Sequence, residues 1–207
     1  PFECARTMRA HDNQVAGFSF GAWIGMQLLM RRPELDGFIS ISPPANMPHT
    51  RPTTDIAKEG LFNILQSRMS FDEIETLDLF GGTGCISYEL ASRGAAKLTL
   101  IEKDPIMQAF IQKNIALLKI EGAQVLKLDV FAYLNSCTTA YDFIFAGPPY
   151  ALGTIDELPK IIVAKKLIKP GGFFVLEHTP RNDYKNFEGY SFQRNYGTTI
   201  FSFFVAT

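Results

Sequence analysis

The sequence predicts an α/β fold, a doubly wound and mostly parallel sheet closed by a C-terminal antiparallel hairpin. Three observations predict it. Short β-rich runs alternate with helical stretches from Thr76 to Glu177, the pattern of a parallel sheet covered on both faces. A glycine-rich stretch, Gly81-Gly-Thr-Gly84, separates the first of these strands from the helix that follows. Two β-rich runs, Tyr190–Tyr196 and Thr198–Ala206, then flank Gly197 as a hairpin would.

Taken in order, the chain opens with strand, turn, helix and strand. Gln14-Val-Ala16 is short and apolar, and Gly17-Phe-Ser-Phe-Gly21 supplies a tight turn. Ala22–Arg32 reads as an apolar helix stopped by Pro33, and Phe38–Ser42 as a strand. Pro43–Pro48 continues neither element easily and marks the expected boundary between residues 1–47 and 48–207. Thr53, Thr54 or Asp55 can cap a helix running to about Met69, with Ile56, Phe62 and Leu65 on one apolar face. Strands are then expected at Thr76–Phe80, Lys97–Glu102, Gln124–Leu128, Tyr141–Ala146 and Gly172–Glu177. Helices are expected at Cys85–Ser92, Pro105–Ile120, Val130–Ser136 and Ile155–Leu167.

Composition narrows the function classes. Apolar residues make up 46% and charged residues 20% of the 207 positions, ordinary for a globular chain. A net charge of −1, balanced both before and after residue 50, gives no general attraction to nucleic acid. Any RNA contact must then come from local patches or from RNA held in a particle. Cys4, Cys85 and Cys137 are too scattered for a disulfide framework or a metal site, so no metal is expected and a reducing cytoplasm is. No apolar run is long enough for a membrane span. The sequence opens on Pro1 rather than Met, as a processed, trimmed or partial chain would.

The strand-to-helix glycine loop carries the first chemistry. Its glycines allow a sharp turn and close approach to a ligand, and the helix start offers unpaired amide donors. Dinucleotide enzymes use the same geometry. Here, though, Ser87 stands where their fingerprint has its third glycine, and Asp78 begins an Asp-x-Phe-x-Gly-x-Gly run. That form is similar to the nucleotide loop of S-adenosylmethionine-dependent methyltransferases of class I. The resemblance implies a cofactor set of Asp78, Phe80, Gly82, Gly84, Glu102, Lys103, Asp129 and Val130. Glu102, ending the second strand, would accept both ribose hydroxyls, and Asp129, ending the third, would meet the adenine amine. An acid at a strand end is as often a helix cap, so both readings of each stay open.

Strand Tyr141–Ala146 runs into Gly147-Pro-Pro-Tyr150. Together with Arg51-Pro-Thr-Thr-Asp55, Ala57-Lys-Glu59, Leu61-Phe-Asn63 and the closing Ser191–Phe204 region, this resembles the bacterial 16S ribosomal RNA guanine-N2 methyltransferase family (RsmD type). The resemblance covers roughly residues 48–207. It implies methyl transfer to the exocyclic N2 amine of a guanine in 16S rRNA, within a small-subunit ribosomal particle. Gly147, Pro148, Pro149 and Tyr150 would form the catalytic loop, with the proline backbone aiming a carbonyl at the amine and the ring stacking on a flipped base. Arg51 and Thr53 would help place the RNA or cofactor, while an Arg-Pro pair also reads as a plain helix entry. Gly147 departs from the family's Asp or Asn, and losing one positioned hydrogen bond is expected to cost roughly 10²–10³ in rate by analogy with oxyanion-hole deletions. Two alternatives follow: an amino methyltransferase for another base such as adenine, or a catalytically silent cofactor-binding module.

The first 47 residues read differently. Gly17-Phe-Ser19-Phe-Gly21 between a strand and a helix matches a nucleophile elbow. With Met26–Pro33 and Phe38–Asn46 it resembles a fragment of an α/β-hydrolase. Neither His49 nor His178 falls in the hydrolase order with an acid between, so a working triad on Ser19 is not expected.

Overall fold

The computed structural model describes the backbone at residues 8–10, 14–18, 37–41 and 55–207, with side chains from residue 56 onward. Among the described residues there are two sheets. In the first, β1 (Met8–Ala10) pairs antiparallel with β2 (Gln14–Phe18), and β2 pairs parallel with β3 (Gly37–Ile41). The strand β1 has no counterpart in the sequence prediction. The predicted helix Ala22–Arg32, and Ser19 before it, lie outside the described residues.

The second sheet has seven strands in the order β6-β5-β4-β7-β8-β10-β9. Its elements follow α1 (Asp55–Gln66): β4 (Glu75–Leu79), α2 (Cys85–Ser92), β5 (Lys97–Ile101), α3 (Pro105–Leu117) and β6 (Ala123–Leu126). Next come α4 (Val130–Ser136), β7 (Tyr141–Ala146), α5 (Glu157–Ala164), β8 (Ile168–His178), β9 (Tyr190–Tyr196) and β10 (Thr199–Phe204). Strands β4 to β8 pair parallel, while β10 pairs antiparallel with both β8 and β9. Strand β4 is flanked by β5 and β7, so the winding reverses beside it and opens a crevice at the strands' C-terminal ends.

Alternation along the strands feeds two apolar layers. Leu98, Leu100, Phe143, Phe145, Val175, Phe201 and Phe203 pack with Leu61, Phe62 and Leu65 of α1 and with residues of α2 and α3. Leu77, Leu79, Ile144, Phe174, Leu176 and Phe204 turn the other way, onto Val130 and Leu134 of α4 and Leu158 and Ile162 of α5. Each large side chain buried contributes about 1.5–3 kcal/mol, so both faces of the sheet are firmly covered.

The structure corrects one face and several boundaries. Ile56 is 75% exposed, whereas Ala57, Leu61, Phe62 and Leu65 are buried. At about 100° per residue, Ile56 points roughly opposite the centre of that buried arc. Helix α1 stops at Gln66 rather than near Met69, where Ser67 and Arg68 amides turn back to Ile64 and Leu65 carbonyls. Helix α3 stops at Leu117, not Ile120, because Lys119 adopts φ 51° and the Ile120 amide reaches the Ile115 carbonyl. Helix α5 ends the same way, with Lys166 at φ 54° and the Leu167 amide on Ile162. Strand β8 begins at Ile168, four residues before the predicted Gly172, and runs through Lys169-Pro-Gly-Gly172 by a register shift against β7.

Candidate functional site

The nucleotide loop leaves β4 under backbone strain. Phe80 has φ 66°, a conformation costly for a side chain of that size, and Gly82 and Gly84 follow at φ 55° and 79°. The Gly81 amide donates to the Ile101 carbonyl at 2.9 Å, which ties the loop to the end of β5. Gly84 is the N-cap of α2 and brings no side-chain cap. A Cβ there would come within 2.5 Å of the Tyr88 ring, so the position requires glycine both for its φ and for the close approach. The α2 start therefore presents backbone amide donors toward the crevice.

Asp78 lies beneath this loop, 2% exposed, and its Oδ2 accepts the Ser87 hydroxyl at 2.7 Å. Burial raises its carboxyl to about 7; the Ser87 bond opposes the rise and the Glu102 charge adds to it. Ser87 thus has a specific partner under the loop, which sequence reasoning noted only as a missing glycine. Glu102 directly follows β5, half-buried, and clamps two backbones: Oε2 accepts the Gly82 amide at 2.9 Å and Oε1 the Asp104 amide at 2.8 Å. Lys103 beside it is exposed.

Asp129 is exposed and caps α4, its Oδ1 accepting the Phe131 and Ala132 amides at 2.9 and 3.3 Å. Of the two readings left open for this strand-end acid, the structure displays the cap. Val130 buries its side chain in the core at 4% exposure.

The acceptor loop sits alongside. The Gly147 amide donates to the Leu79 carbonyl at 3.4 Å, which joins the end of β7 to the end of β4. Pro148 is buried, while Pro149 and Tyr150 are exposed. Tyr150 is 40% exposed, and its hydroxyl donates to Glu177 Oε1 at 3.3 Å and lies 3.4 Å from Thr199 Oγ1. Glu177 is buried at 6%. Sequence reasoning did not select it, although an acid at a strand end is the very signal that picked out Glu102 and Asp129.

Cys85 opens α2 between the two loops. Burial pushes its thiol up, against the Lys58 charge and a Thr83 hydrogen bond, and the Asp78 and Glu177 carboxylates push it further. A thiol held protonated is a poor nucleophile. His178 is fully buried: its Nδ1 meets the Thr179 carbonyl at 2.9 Å and its Nε2 the Ser202 hydroxyl at 2.8 Å. Burial lowers its pKa, so it is a neutral core histidine. Arg51, Thr53, Ser19 and His49 lie outside the described residues. Among the described residues no group of three or more His, Cys, Asp or Glu is placed to share a metal, and no helix is long and apolar enough to cross a membrane.

The crevice thus gathers the glycine loop, Glu102, Asp129 and the Pro-Pro-Tyr loop at one end of one sheet. Known proteins resemble this chain in sequence and fold. The chain is 36% identical over 115 residues to the ribosomal RNA small subunit methyltransferase D of Escherichia coli, covering 56% of this chain and 57% of that protein. It therefore spans little more than half the length of that relative. Among solved structures, a hypothetical protein of Thermus thermophilus superposes with TM-score 0.70 at 27% identity, over 82% of this chain and 94% of that one. The 16S rRNA N2 G1207 methyltransferase of the same organism, solved with AdoMet and guanosine, matches with TM-score 0.60 at 25% identity, over 75% of this chain and 44% of that one. A family model described as "Conserved hypothetical protein 95" matches residues 41–205. With a sheet wound as in class I S-adenosylmethionine-dependent methyltransferases, the chain belongs to the Conserved hypothetical protein 95 family.

Proposed function

We propose that this chain transfers a methyl group from S-adenosylmethionine to the exocyclic N2 amine of a guanine in 16S rRNA. The observation that most supports this reading is the Gly147–Leu79 backbone bond, which ties the start of the Gly147–Tyr150 loop to the end of β4, from which the Gly81–Gly84 loop leaves. The names of two similar proteins support the substrate, one a small-subunit ribosomal RNA methyltransferase and the other a 16S rRNA N2 G1207 methyltransferase.

The residues present fit the cofactor. Gly81, Gly82 and Gly84 carry no side chain to oppose close approach, the α2 start offers amides, and Glu102 has lone pairs beyond the two it uses. The cofactor supplies an electrophilic methyl group on a sulfonium. Glu102 would bind the ribose hydroxyls and hold Gly82 in place at the same time. Asp129, already fixed as a cap through Oδ1, would reach the adenine amine, with Lys103 and the Val130 backbone beside these acids. Phe80, Gly82 and Gly84 shape the loop, and Asp78 supports it from below. Pro148 and Pro149 hold the acceptor backbone stiff, so that the Pro148 carbonyl can take one amine proton in a hydrogen bond. Tyr150, tethered at its hydroxyl, keeps its ring in place for stacking. Arg51 and Thr53 are proposed to place the RNA.

Residues 1–47 are proposed as a separate unit, supported by the pairing of β1 to β3 in their own sheet; the hydrolase resemblance there rests on the sequence motif. A cytoplasmic site of action and a small-subunit particle as the partner belong to the same reading.

Titration calorimetry with S-adenosylhomocysteine, followed by methyl transfer to naked 16S rRNA, small ribosomal subunits and DNA, tests the proposal. Cofactor binding with transfer to small-subunit rRNA is expected. Binding without transfer to any substrate would leave the silent module, and transfer to DNA alone would move the activity to another base.

A further inference from the structure

We propose that Glu177 supplies the acidic acceptor that residue 147 lacks, taking the hydrogen bond from the exocyclic amine of the bound guanine. The inference rests on the function proposed above and adds a catalytic residue to it. Parallel pairing sets Ala146 of β7 opposite Leu176 of β8, so the next residues, Gly147 and Glu177, emerge side by side at the strand ends. A Cβ placed on Gly147 would stand 3.7 Å from Glu177 Oε2 and 3.1 Å from the Phe145 ring. The Glu177 head thus borders the space that a side chain at residue 147 would enter. Asp at residue 147 would bring a second carboxylate against the first and crowd Phe145, so glycine there is consistent with an acid delivered from the neighbouring strand.

The position of Glu177 between the two loops supports the same role. Its Oε1 accepts the hydroxyl of Tyr150 in the acceptor loop at 3.3 Å, while its charge also reaches Cys85 at the start of α2, next to the nucleotide loop. A carboxylate offers about four lone-pair sites, so accepting from Tyr150 does not by itself exclude accepting from an amine. Tyr150 holds Glu177 and stacks the base, and Glu177 reads the amine at that base's edge. During transfer the nitrogen lone pair forms the N–CH3 bond, and the S–CH3 bonding pair remains on sulfur. The proton shed by the nitrogen passes to Glu177 Oε2 and on to solvent, so a carboxylate is suited where a neutral acceptor is not.

Guanosine and inosine differ by the N2 amine alone, so they serve as probes against the full chain saturated with S-adenosylhomocysteine, measured by calorimetry. The parent is expected to bind guanosine at least about tenfold more tightly than inosine, the range of a hydrogen bond to a charged group. Glu177→Ala should bind both alike while its affinity for S-adenosylhomocysteine stays within about twofold. Adding Gly147→Asp to Glu177→Ala should restore part of the preference. Should the alanine variant lose cofactor binding, Glu177→Gln is the substitute, with an expected preference cut by about tenfold. A parent with no preference, or a preference that survives in the variants, overturns the role of Glu177. Failure of the parent to methylate small-subunit rRNA while the preference holds overturns the proposed substrate instead and leaves Glu177 as an amine-reading residue.

Discussion

Asp78 is the residue whose environment makes the sharpest claim on stability. It is 2% exposed and carries a carboxyl raised from 3.8 to about 7 by burial, with the Ser87 hydrogen bond opposing. Between those two values the folded protein keeps a proton that the unfolded chain has released. The stability tied to that proton is fully present below 3.8, declines as pH rises toward about 7, and is level above it. Asp78→Asn removes the titration. The stability of the variant relative to the parent should therefore rise from about pH 4 to about pH 7 and flatten beyond, by at most about 4 kcal/mol. Urea unfolding of both proteins across that range measures it. A difference that does not change with pH would mean that Asp78 is ionised throughout. Ser87 was visible in the sequence only as a departure from a dinucleotide fingerprint. Its partnership needs α2 to fold back over β4, which no local spacing encodes.

Helix ends were the least legible elements, for a physical reason visible at Lys119 and Lys166. Both adopt left-handed φ, 51° and 54°, and both close a helix with an amide reaching back five residues. Glycine at such a position is the usual stop signal in a sequence; lysine carries none, so α3 and α5 read as longer than they are. Pro105 with Asp104 in front, by contrast, marked the start of α3 to the residue, because the Asp104 carboxylate accepts the Ile106 and Met107 amides at 2.8 and 3.1 Å. The strained lysine also yields a prediction. Lys166→Gly relieves the Cβ clash at φ 54° and should stabilise the protein by about 1 kcal/mol, the order of the penalty for a left-handed L-residue. A thermal melt showing no gain would indicate that the glycine's extra freedom in the unfolded chain offsets the relief.

At the scale of the whole molecule, the parallel strands and closing hairpin were legible because alternating strands and helices admit few topologies, while the strand order came from the structure. The crevice at the end of β4 follows from that order, whereas Glu177 entered the site only through the pairing of β8 with β7. The first fifty residues follow another pattern, and their strands form a sheet of their own. If the division proposed near residue 47 is correct, ligand binding stabilises only the unit that holds the crevice. A cofactor present at about 100 times its dissociation constant adds roughly 2.7 kcal/mol to the unfolding free energy of that unit and nothing to the other. A chain starting at residue 48 should then keep the thermal shift that S-adenosylhomocysteine induces in the full chain. Scanning calorimetry of both with and without the ligand decides it. Loss of the shift on removing residues 1–47 would mean that the N-terminal strands form part of the site or are energetically coupled to it.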